Sequence, residues 1–185
     1  MQPEDVEPAI ERAARAGDRQ AFAALVERHW GPVFRWLMGL THNSHLAEDL
    51  TQEAFLRAWR ALASFQEGAS FRVWLFSIAR HCLIDRQRGP RGAATVRLSE
   101  RLTAAAPDPA DLAEDREGTA LFQQACARLP DYLQAAFLLW AQHDLAFAEV
   151  AAVLGITEAT ARWRVFKARL TLMRELGHYL DRKPR

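Results

Sequence analysis

The residues of this chain that are best suited to chemistry are basic and aromatic side chains between residues 157 and 170. In this stretch Ala161, Val165 and Ala168 recur at the spacing of one buried stripe on a helix. At about 100° per residue, arginines fall on both flanks of that helix, and Trp163 points away from the stripe. Guanidinium groups suit phosphate oxygens, and other polar groups on such a face can reach base edges. The candidate DNA-contacting residues are Thr160, Arg162, Trp163, Arg164, Phe166, Lys167 and Arg169.

A second helix is predicted directly before this one. Phe147, Val150 and Leu154 line one side of a short segment, and Gly155 can then leave helical geometry without a steric penalty. Thr157 is a good N-cap for the basic helix. Two helices joined by a tight glycine turn form a helix-turn-helix, whose second helix lies in the major groove of DNA. A solvated amphipathic helix is the alternative interpretation, but it does not explain an exposed tryptophan.

The composition favours an all-α protein of one or two small domains. The chain has 185 residues and a net charge of only +1, so the distribution of charge is more informative than its sum. Arginines cluster at Arg72, Arg80, Arg86, Arg88, Arg91, Arg97 and Arg101, and again from Arg162 to Arg185. An acidic run of Asp108, Asp111, Glu114, Asp115 and Glu117 separates the two clusters. Two basic ends around an acidic middle fit two separate contacts with a polyanion.

Cysteine content and hydropathy exclude several classes of protein. Cys82 and Cys126 are the only cysteines, and each lies in a helical pattern, which favours buried thiols over a disulfide or a zinc site. His42 and His45, with His81 and Cys82, are a weak candidate for a metal site because no clear further ligand accompanies them. We therefore predict no catalytic residue, no metal and no cofactor. The start shows no signal peptide and no apolar run is long enough to cross a bilayer, so we expect a cytoplasmic protein.

The helices that position the candidate residues can be read along the chain. The predicted segments are Asp5–Ala16, a helix capped by Asp18 that Gly31-Pro32 kinks or breaks, Ser44–Ala63 capped by Ser44, Phe71–Arg88 capped by Ser70, Thr119–Arg128, and Asp131–Ala141. Proline, glycine and acidic residues without periodicity follow the first group of helices. We predict a helical domain at residues 1–89, a flexible linker at 90–118, and a second helical domain at 119–185 that ends in the helix-turn-helix.

Three stretches of this sequence resemble a known family. AEDLTQEAFLRAWRALASF, followed by ASFRVWLFSIARHCLIDRQR, is similar to region 2 of the extracytoplasmic-function sigma factors. ARLPDYLQAAFLLWAQHDLAFAEVAAVLGITEATARWRVFKARL resembles their region 4. The resemblance implies a dissociable specificity subunit of bacterial RNA polymerase, without catalysis of its own. It also implies core RNA polymerase and promoter DNA as partners, with an anti-sigma factor as a further one.

The resemblance also implies roles for particular residues. The helix at 44–63 would bind a coiled coil of the largest polymerase subunit through Asp49, Gln52, Glu53, Phe55 and Arg57. The loop at 64–70 and the next helix would hold the melted −10 element, with one base unstacked, through Phe65, Arg72, Arg80, His81, Arg86 and Arg88. The helix from Thr157 would read the −35 element. Aromatic and guanidinium surfaces suit unstacked bases, and positive charge suits a single strand.

Three positions depart from the family pattern. His81 stands where the family usually has Asn, Ala146 replaces a Ser cap, and Trp163 replaces a small polar residue on the DNA face. These departures leave the −10 and −35 sequences open, and Trp163 could contact either DNA or a partner protein. A stand-alone transcription regulator is the alternative function, although it leaves the region 2 motifs without a role.

The length of the linker sets an expectation about the free protein. Residues 89–118 could span roughly 100 Å when fully extended, but only about 30 Å as a relaxed coil. Two promoter elements about two duplex turns apart are on the order of 70 Å from each other. We therefore expect a compact free protein, with its two domains associated or its DNA faces masked, and we expect polymerase or an anti-sigma partner to fix their separation.

Overall fold

The computed structural model describes residues 3–66, 68–89 and 116–180, and every regular element within them is helical. The prediction of an all-α fold is therefore confirmed. The helices are α1 (Pro3–Arg15), α2 (Arg19–Thr41), α3 (Ser44–Ala61), a 3-10 turn (Leu62–Ser64), α4 (Phe71–Arg88), α5 (Arg116–Ala127), α6 (Asp131–His143), α7 (Phe147–Leu154) and α8 (Glu158–Leu180). None of these helices combines the length and the apolar character that crossing a membrane requires. Most of the predicted linker, residues 90–115, lies outside the described residues.

Helix starts in the first half follow the predicted caps with one correction. The Asp18 carboxylate accepts hydrogen bonds from the amides of Gln20 and Ala21, at 2.8 and 3.2 Å. The Ser70 hydroxyl likewise accepts from Val73 N–H, at 3.4 Å. The prediction that Ser44 caps α3 is wrong, because Asn43 has the extended backbone of a cap and its Oδ1 accepts from Leu46 N–H at 3.0 Å.

Two predicted helix boundaries are also wrong. Of the predicted kink or break at Gly31-Pro32, the break does not occur, because helix α2 runs without interruption from Arg19 to Thr41. Proline removes one backbone donor, but Val33, Trp36 and Leu37 beyond it are fully buried, and this burial stabilises the continued helix. Helix α5 begins at Arg116, three residues before the predicted start.

The two halves of the chain are in direct contact through α2, α4, α6 and α7. The indole N–H of Trp36 donates to Ala135 O at 3.4 Å, and Gln134 Nε2 donates to Gly39 O at 2.8 Å. A Cβ atom on Gly39 would lie only 2.6 Å from Leu138 Cδ1, so glycine allows α2 and α6 to approach. The faces of α2 and α4 that meet the second half are therefore covered in this arrangement.

Candidate nucleic-acid and polymerase interfaces

The turn between α7 and α8 has the geometry that the sequence predicts for a helix-turn-helix. Gly155 ends α7 with a positive φ of 61°, a conformation that disfavours any residue with a Cβ. Ile156 N–H donates to Ala151 O at 3.0 Å, which closes the turn. The Thr157 hydroxyl accepts from Thr160 N–H at 3.2 Å and so caps α8 as predicted.

The missing cap at Ala146 is compensated within α7. The Glu149 carboxylate reaches back to accept the Ala146 amide proton at 2.8 Å. One of the free amides at the start of the helix is thereby satisfied without a hydroxyl side chain. Glu149 therefore offsets in part the absence of a hydroxyl cap at Ala146.

The inner and outer faces of α8 lie as predicted. Ala161, Val165 and Ala168 are buried, whereas Trp163 and Phe166 are 52% and 60% exposed. Two further large apolar side chains on the same face, Leu170 and Met173, are 43% and 58% exposed and were missed in the sequence analysis. The signal was present, because both continue the spacing of three and four residues that begins at Trp163.

Aromatic rings hold the arginines that flank this face. The Arg162 guanidinium lies 5.0 Å from the ring centroid of Phe147 and pairs with Glu158 at 2.6 Å. Arg169 lies 5.4 Å from the Trp140 ring, and the Trp140 and Phe147 rings are stacked with an interplanar angle of 3°. Arg164 lies 5.4 Å from the ring of Tyr132. Lys167 is exposed, whereas Arg164 and Thr160 are half-buried.

A cavity of about 930 Å³ lies between α1, α2, the loop after α3 and the start of α4. Arg72 and Ser70 line it from the loop side, and Arg28 and His29 line it from α2. Glu7 of α1 contacts both of the latter residues, at 2.9 Å from the Arg28 guanidinium and 3.0 Å from His29 Nε2. Burial lowers the pKa of His29, although the Glu7 carboxylate opposes that shift. The cavity is large enough for an unstacked base and has cationic groups at its edge.

Phe65 does not offer a free ring face to a base in this arrangement. It is 3% exposed, and its ring meets the rings of Phe71 and Trp74 at centroid distances of 5.8 and 4.9 Å. These aromatic contacts bury the ring, so a base could stack on it only after a neighbour moved. Part of Phe65 still lines the cavity, where it supports the wall.

The remaining candidates for the −10 element are spread along α4. Arg72 stands near its start, and Arg86 and Arg88 stand at its end, about 20 Å away at 1.5 Å per residue. His81 is exposed between them. Arg80 instead faces the second half, where its Nη1 lies 3.7 Å from the position of a Cβ on Gly155. Burial, and then repulsion from Arg164, lowers the pKa of Arg80.

Some of the α3 residues predicted to bind polymerase are exposed, and others form ion pairs. Asp49 and Gln52 are exposed. Arg57 bonds Glu53 on its own helix and Asp85 of α4, at 2.6 Å for the latter pair. These bonds, chiefly the one to Asp85, raise the pKa of Arg57, and the bond to Arg57 lowers the pKa of Asp85. Arg57 therefore ties α3 to α4 at the surface.

Phe55 contributes to an apolar groove rather than to an exposed contact. It is 5% exposed and its ring stacks on Trp30 at 5.7 Å. The groove has a volume of about 390 Å³ between α2 and α3 and is also lined by Phe22, Leu56 and Trp59. Leu56 is 50% exposed and is not among the predicted polymerase contacts.

No three His, Cys, Asp or Glu side chains of the described residues are grouped so that they could hold a metal ion. His42 and His45 are separated by the end of α2 and the cap of α3. Cys82 and Cys126 are buried and free, and burial raises their pKa values to about 11 and about 12.

Both halves of the chain match models of a known protein family. The family model of Sigma-70 region 2 matches residues 25–91, and that of Sigma-70, region 4 matches residues 119–172. The ECF RNA polymerase sigma factor SigE of Mycolicibacterium smegmatis is 34% identical over 178 residues, which cover 90% of this chain and 69% of the relative. The RNA polymerase sigma-H factor of Pseudomonas aeruginosa is 30% identical over 172 residues, which cover 86% and 88%.

A solved structure has the same fold. It is the co-crystal structure of the sigma factor RpoE with the anti-sigma factor NepR from Bartonella quintana. The TM-score is 0.71 at 24% identity, and the match covers 84% of this chain and 96% of that one. The fold, the two family models and the relatives agree that this chain belongs to the extracytoplasmic-function sigma factors, the non-enzymatic proteins that direct RNA polymerase to promoters and initiate transcription.

Proposed function

We propose that residues 1–89 bind core RNA polymerase and the melted −10 element, and that residues 119–185 read the −35 element. Residues 90–118 join the two domains in this proposal. The observation that carries this proposal is the presence of two features in one chain. The helix-turn-helix has an exposed face of aromatic and basic residues, and α4, which lies in region 2, ends in arginines. A stand-alone regulator would use the exposed face of the helix-turn-helix but has no use for the arginines at the end of α4.

The −35 element is assigned to the outer face of α8. Trp163 can contact thymine methyl groups, and Lys167 can reach base edges in the major groove. The arginines on the flanks suit phosphate oxygens, and a ring beneath each of the three restricts its side chain before DNA arrives. The −35 contacts in this proposal are Thr160, Arg162, Trp163, Arg164, Phe166, Lys167 and Arg169.

The −10 element is assigned to the cavity and to α4. The cavity supports this assignment because its volume of about 930 Å³ accommodates a base and because Arg72 and Arg28 line its edge. The positive side chains farther along α4 can follow the backbone of the single strand. The −10 contacts in this proposal are Arg72, His81, Arg86 and Arg88, with Phe65 supporting the cavity wall. Arg80, which faces the second half in the free chain, joins them once the two halves are held apart.

Core polymerase is assigned to the exposed side of α3 and the adjoining groove. Asp49 and Gln52 supply polar contacts, and Leu56 adds exposed apolar surface at the rim of the groove. The buried Phe55 lines the groove, and the ion pair of Arg57 with Asp85 ties α3 to α4. An apolar centre with a polar rim is typical of a protein interface.

An anti-sigma partner is part of the proposal. The RpoE structure that this chain resembles contains an anti-sigma factor, and a sigma factor with exposed apolar surface suits control by such a partner. Because RNA polymerase works in the bacterial cytoplasm, the proposal places this chain there.

Transcription from a genomic library with purified core polymerase, with and without the chain, tests this function. We expect new transcripts that start downstream of one shared pair of sequence elements and that depend on the added chain. The Asp49→Arg variant should lose them, whereas Glu27→Arg on α2 should retain them. Tight and specific DNA binding without polymerase, together with no new transcripts, would instead support the stand-alone regulator.

A further inference from the structure

The exposed apolar side chains of α8 form a regular seam. Trp163, Phe166, Leu170 and Met173 are each more than two-fifths exposed and are separated by three, four and three residues. This is the spacing of the a and d positions of a coiled coil, with Trp163 and Leu170 at a and Phe166 and Met173 at d. Gly177 occupies the next a position, and nothing lies within 4 Å of where its Cβ would be.

DNA contact does not account for the whole seam. A recognition helix touches base edges with its N-terminal residues, and the major groove is about 12 Å wide. At 1.5 Å per residue, Leu170 lies about 18 Å and Met173 about 22 Å from the start of α8 at Glu158. Both side chains are therefore beyond the part of the helix that enters the groove. Large apolar groups in this arrangement are typical of a protein contact.

The charges beside the seam indicate what would cover it. In the same register the flanking g positions are Arg162 and Arg169, and the e positions are Lys167 and Arg174, so all four carry positive charge. The rings of Phe147 and Trp140 hold the two g-position arginines in place. The carboxylates of Glu158 and Glu175 are paired with Arg162 and Arg128 and lie off the seam.

We propose that this seam binds an amphipathic helix of a partner protein that carries apolar a and d residues and acidic e and g residues. Opposite charges at e and g positions select the partner and the orientation of paired helices. A second copy of this chain is disfavoured, because pairing α8 with itself would place these positive flanks beside each other. The bound helix covers Trp163 and Phe166 and therefore excludes DNA from α8. The regulatory consequence rests on the proposed function, because a partner helix on this seam would block reading of the −35 element by α8.

The experiment uses the full chain and two fluorescent synthetic helices. Both peptides carry leucine at a and d positions over three heptads, one with glutamate and the other with lysine at e and g. Fluorescence anisotropy should show saturable binding of the acidic peptide and at least about tenfold weaker binding of the basic one. The double variant Leu170→Ser/Met173→Ser should weaken binding of the acidic peptide by at least about tenfold. Since both side chains are exposed, its thermal unfolding midpoint should stay close to that of the original chain.

Further measurements test the other possible occupants of the seam and distinguish failure of this proposal from failure of the proposed function. The −35 duplex of a promoter identified by the transcription experiment should compete with the peptide, and the double variant should bind that duplex within about twofold of the original chain. An equal loss of DNA and peptide binding would make the seam a DNA surface and overturn the proposal. A dimer of the free chain that the double variant abolishes would identify a second copy instead.

The acidic run of this chain is the remaining alternative occupant of the seam. If the peptide binds only after neutralisation of Asp108, Asp111, Glu114 and Asp115 to their amides, the occupant is the chain's own segment and the proposal is wrong. No binding of the acidic peptide to any variant, or equal binding of both peptides, would also overturn it. Absence of new transcripts with core polymerase would count against the proposed function alone, because the peptide measurement does not depend on polymerase.

Discussion

The imidazole ring of His143 packs against the ring of Phe76, with their centroids 5.0 Å apart. His143 ends α6 in the second half of the chain, whereas Phe76 lies in α4 of the first half, and both are buried. No described residue forms a hydrogen bond with His143 Nε2. The contact between the halves therefore accommodates a neutral imidazole far better than a charged one.

This contact predicts a loss of stability in acid. Burial, followed by repulsion from Arg35 and Arg72, lowers the pKa of His143 to about 4, and Asp144 opposes this only in part. Between about pH 6.5 and 4 the unfolded chain binds a proton that the folded chain does not, so stability falls as the pH drops through this range. At pH 5 the loss should approach about 2 kcal/mol. Urea unfolding at pH 7.5 and 5.0 measures it.

The His143→Gln variant isolates this contribution from those of the other histidines. It should unfold with a smaller difference between the two pH values, whereas the exposed His45→Gln should behave like the original chain. An unchanged pH dependence in His143→Gln would show that the buried imidazole is not responsible.

The approach of α2 to α6 predicts that Gly39→Ala separates the two halves. The added methyl would lie 2.6 Å from Leu138 Cδ1, whereas alanine is otherwise favoured over glycine within a helix by about 1 kcal/mol. We expect small-angle scattering to show a compact free chain and a larger radius of gyration for Gly39→Ala. Gly177→Ala is the matched control, because its Cβ meets nothing within 4 Å. Two widely separated halves in the original chain would contradict the arrangement described above.

The exposed side of α3 predicts a specific defect in polymerase binding. Asp49→Arg reverses a charge on a side chain that faces solvent, so it should weaken association with core polymerase by at least about tenfold with little change in thermal stability. Co-purification with core polymerase measures the effect, and Glu27→Arg on the exposed side of α2 controls for net charge. Undiminished co-purification of Asp49→Arg would remove α3 from the polymerase interface.

The position of His81 predicts a defect in promoter melting. It is exposed on α4 between the cavity and the arginines at the end of the helix. If it contacts the −10 element, His81→Ala should reduce transcription from closed duplex templates more than from templates mispaired across that element. Gln87→Ala, also exposed on α4, should affect both equally and slightly. Equal losses on both templates for His81→Ala would exclude a role in melting.

Sequence reasoning located the helix-turn-helix well because its signals are local. The positive φ of Gly155, the cap at Thr157 and the buried stripe through Ala161 depend on residues within a few turns of one another. The continuity of α2 through Pro32 was not predictable in this way, because burial against other helices decides it.

The geometry of the sites in the first half was also not predictable from local sequence signals. The burial of Phe65 and the cavity beside it depend on four segments that meet only in the folded chain. The direction of Arg80 toward Gly155 likewise depends on the contact between the halves. The chemical types of these residues could be assigned from the sequence, but their exposure could not.

The last prediction separates base reading from phosphate binding on α8. Trp163 is 52% exposed opposite the buried stripe, whereas the Arg164 guanidinium lies over the ring of Tyr132 at the flank. If Trp163 meets thymine methyl groups, Trp163→Ala should weaken binding to the cognate −35 duplex by about 1–3 kcal/mol and leave binding to unrelated duplexes nearly unchanged. Arg164→Ala should instead weaken all duplexes alike and reduce the salt dependence of binding. Titrations of both duplexes at several salt concentrations measure these effects. Unchanged promoter selection by Trp163→Ala, with loss of acidic peptide binding, would assign Trp163 to the protein seam alone.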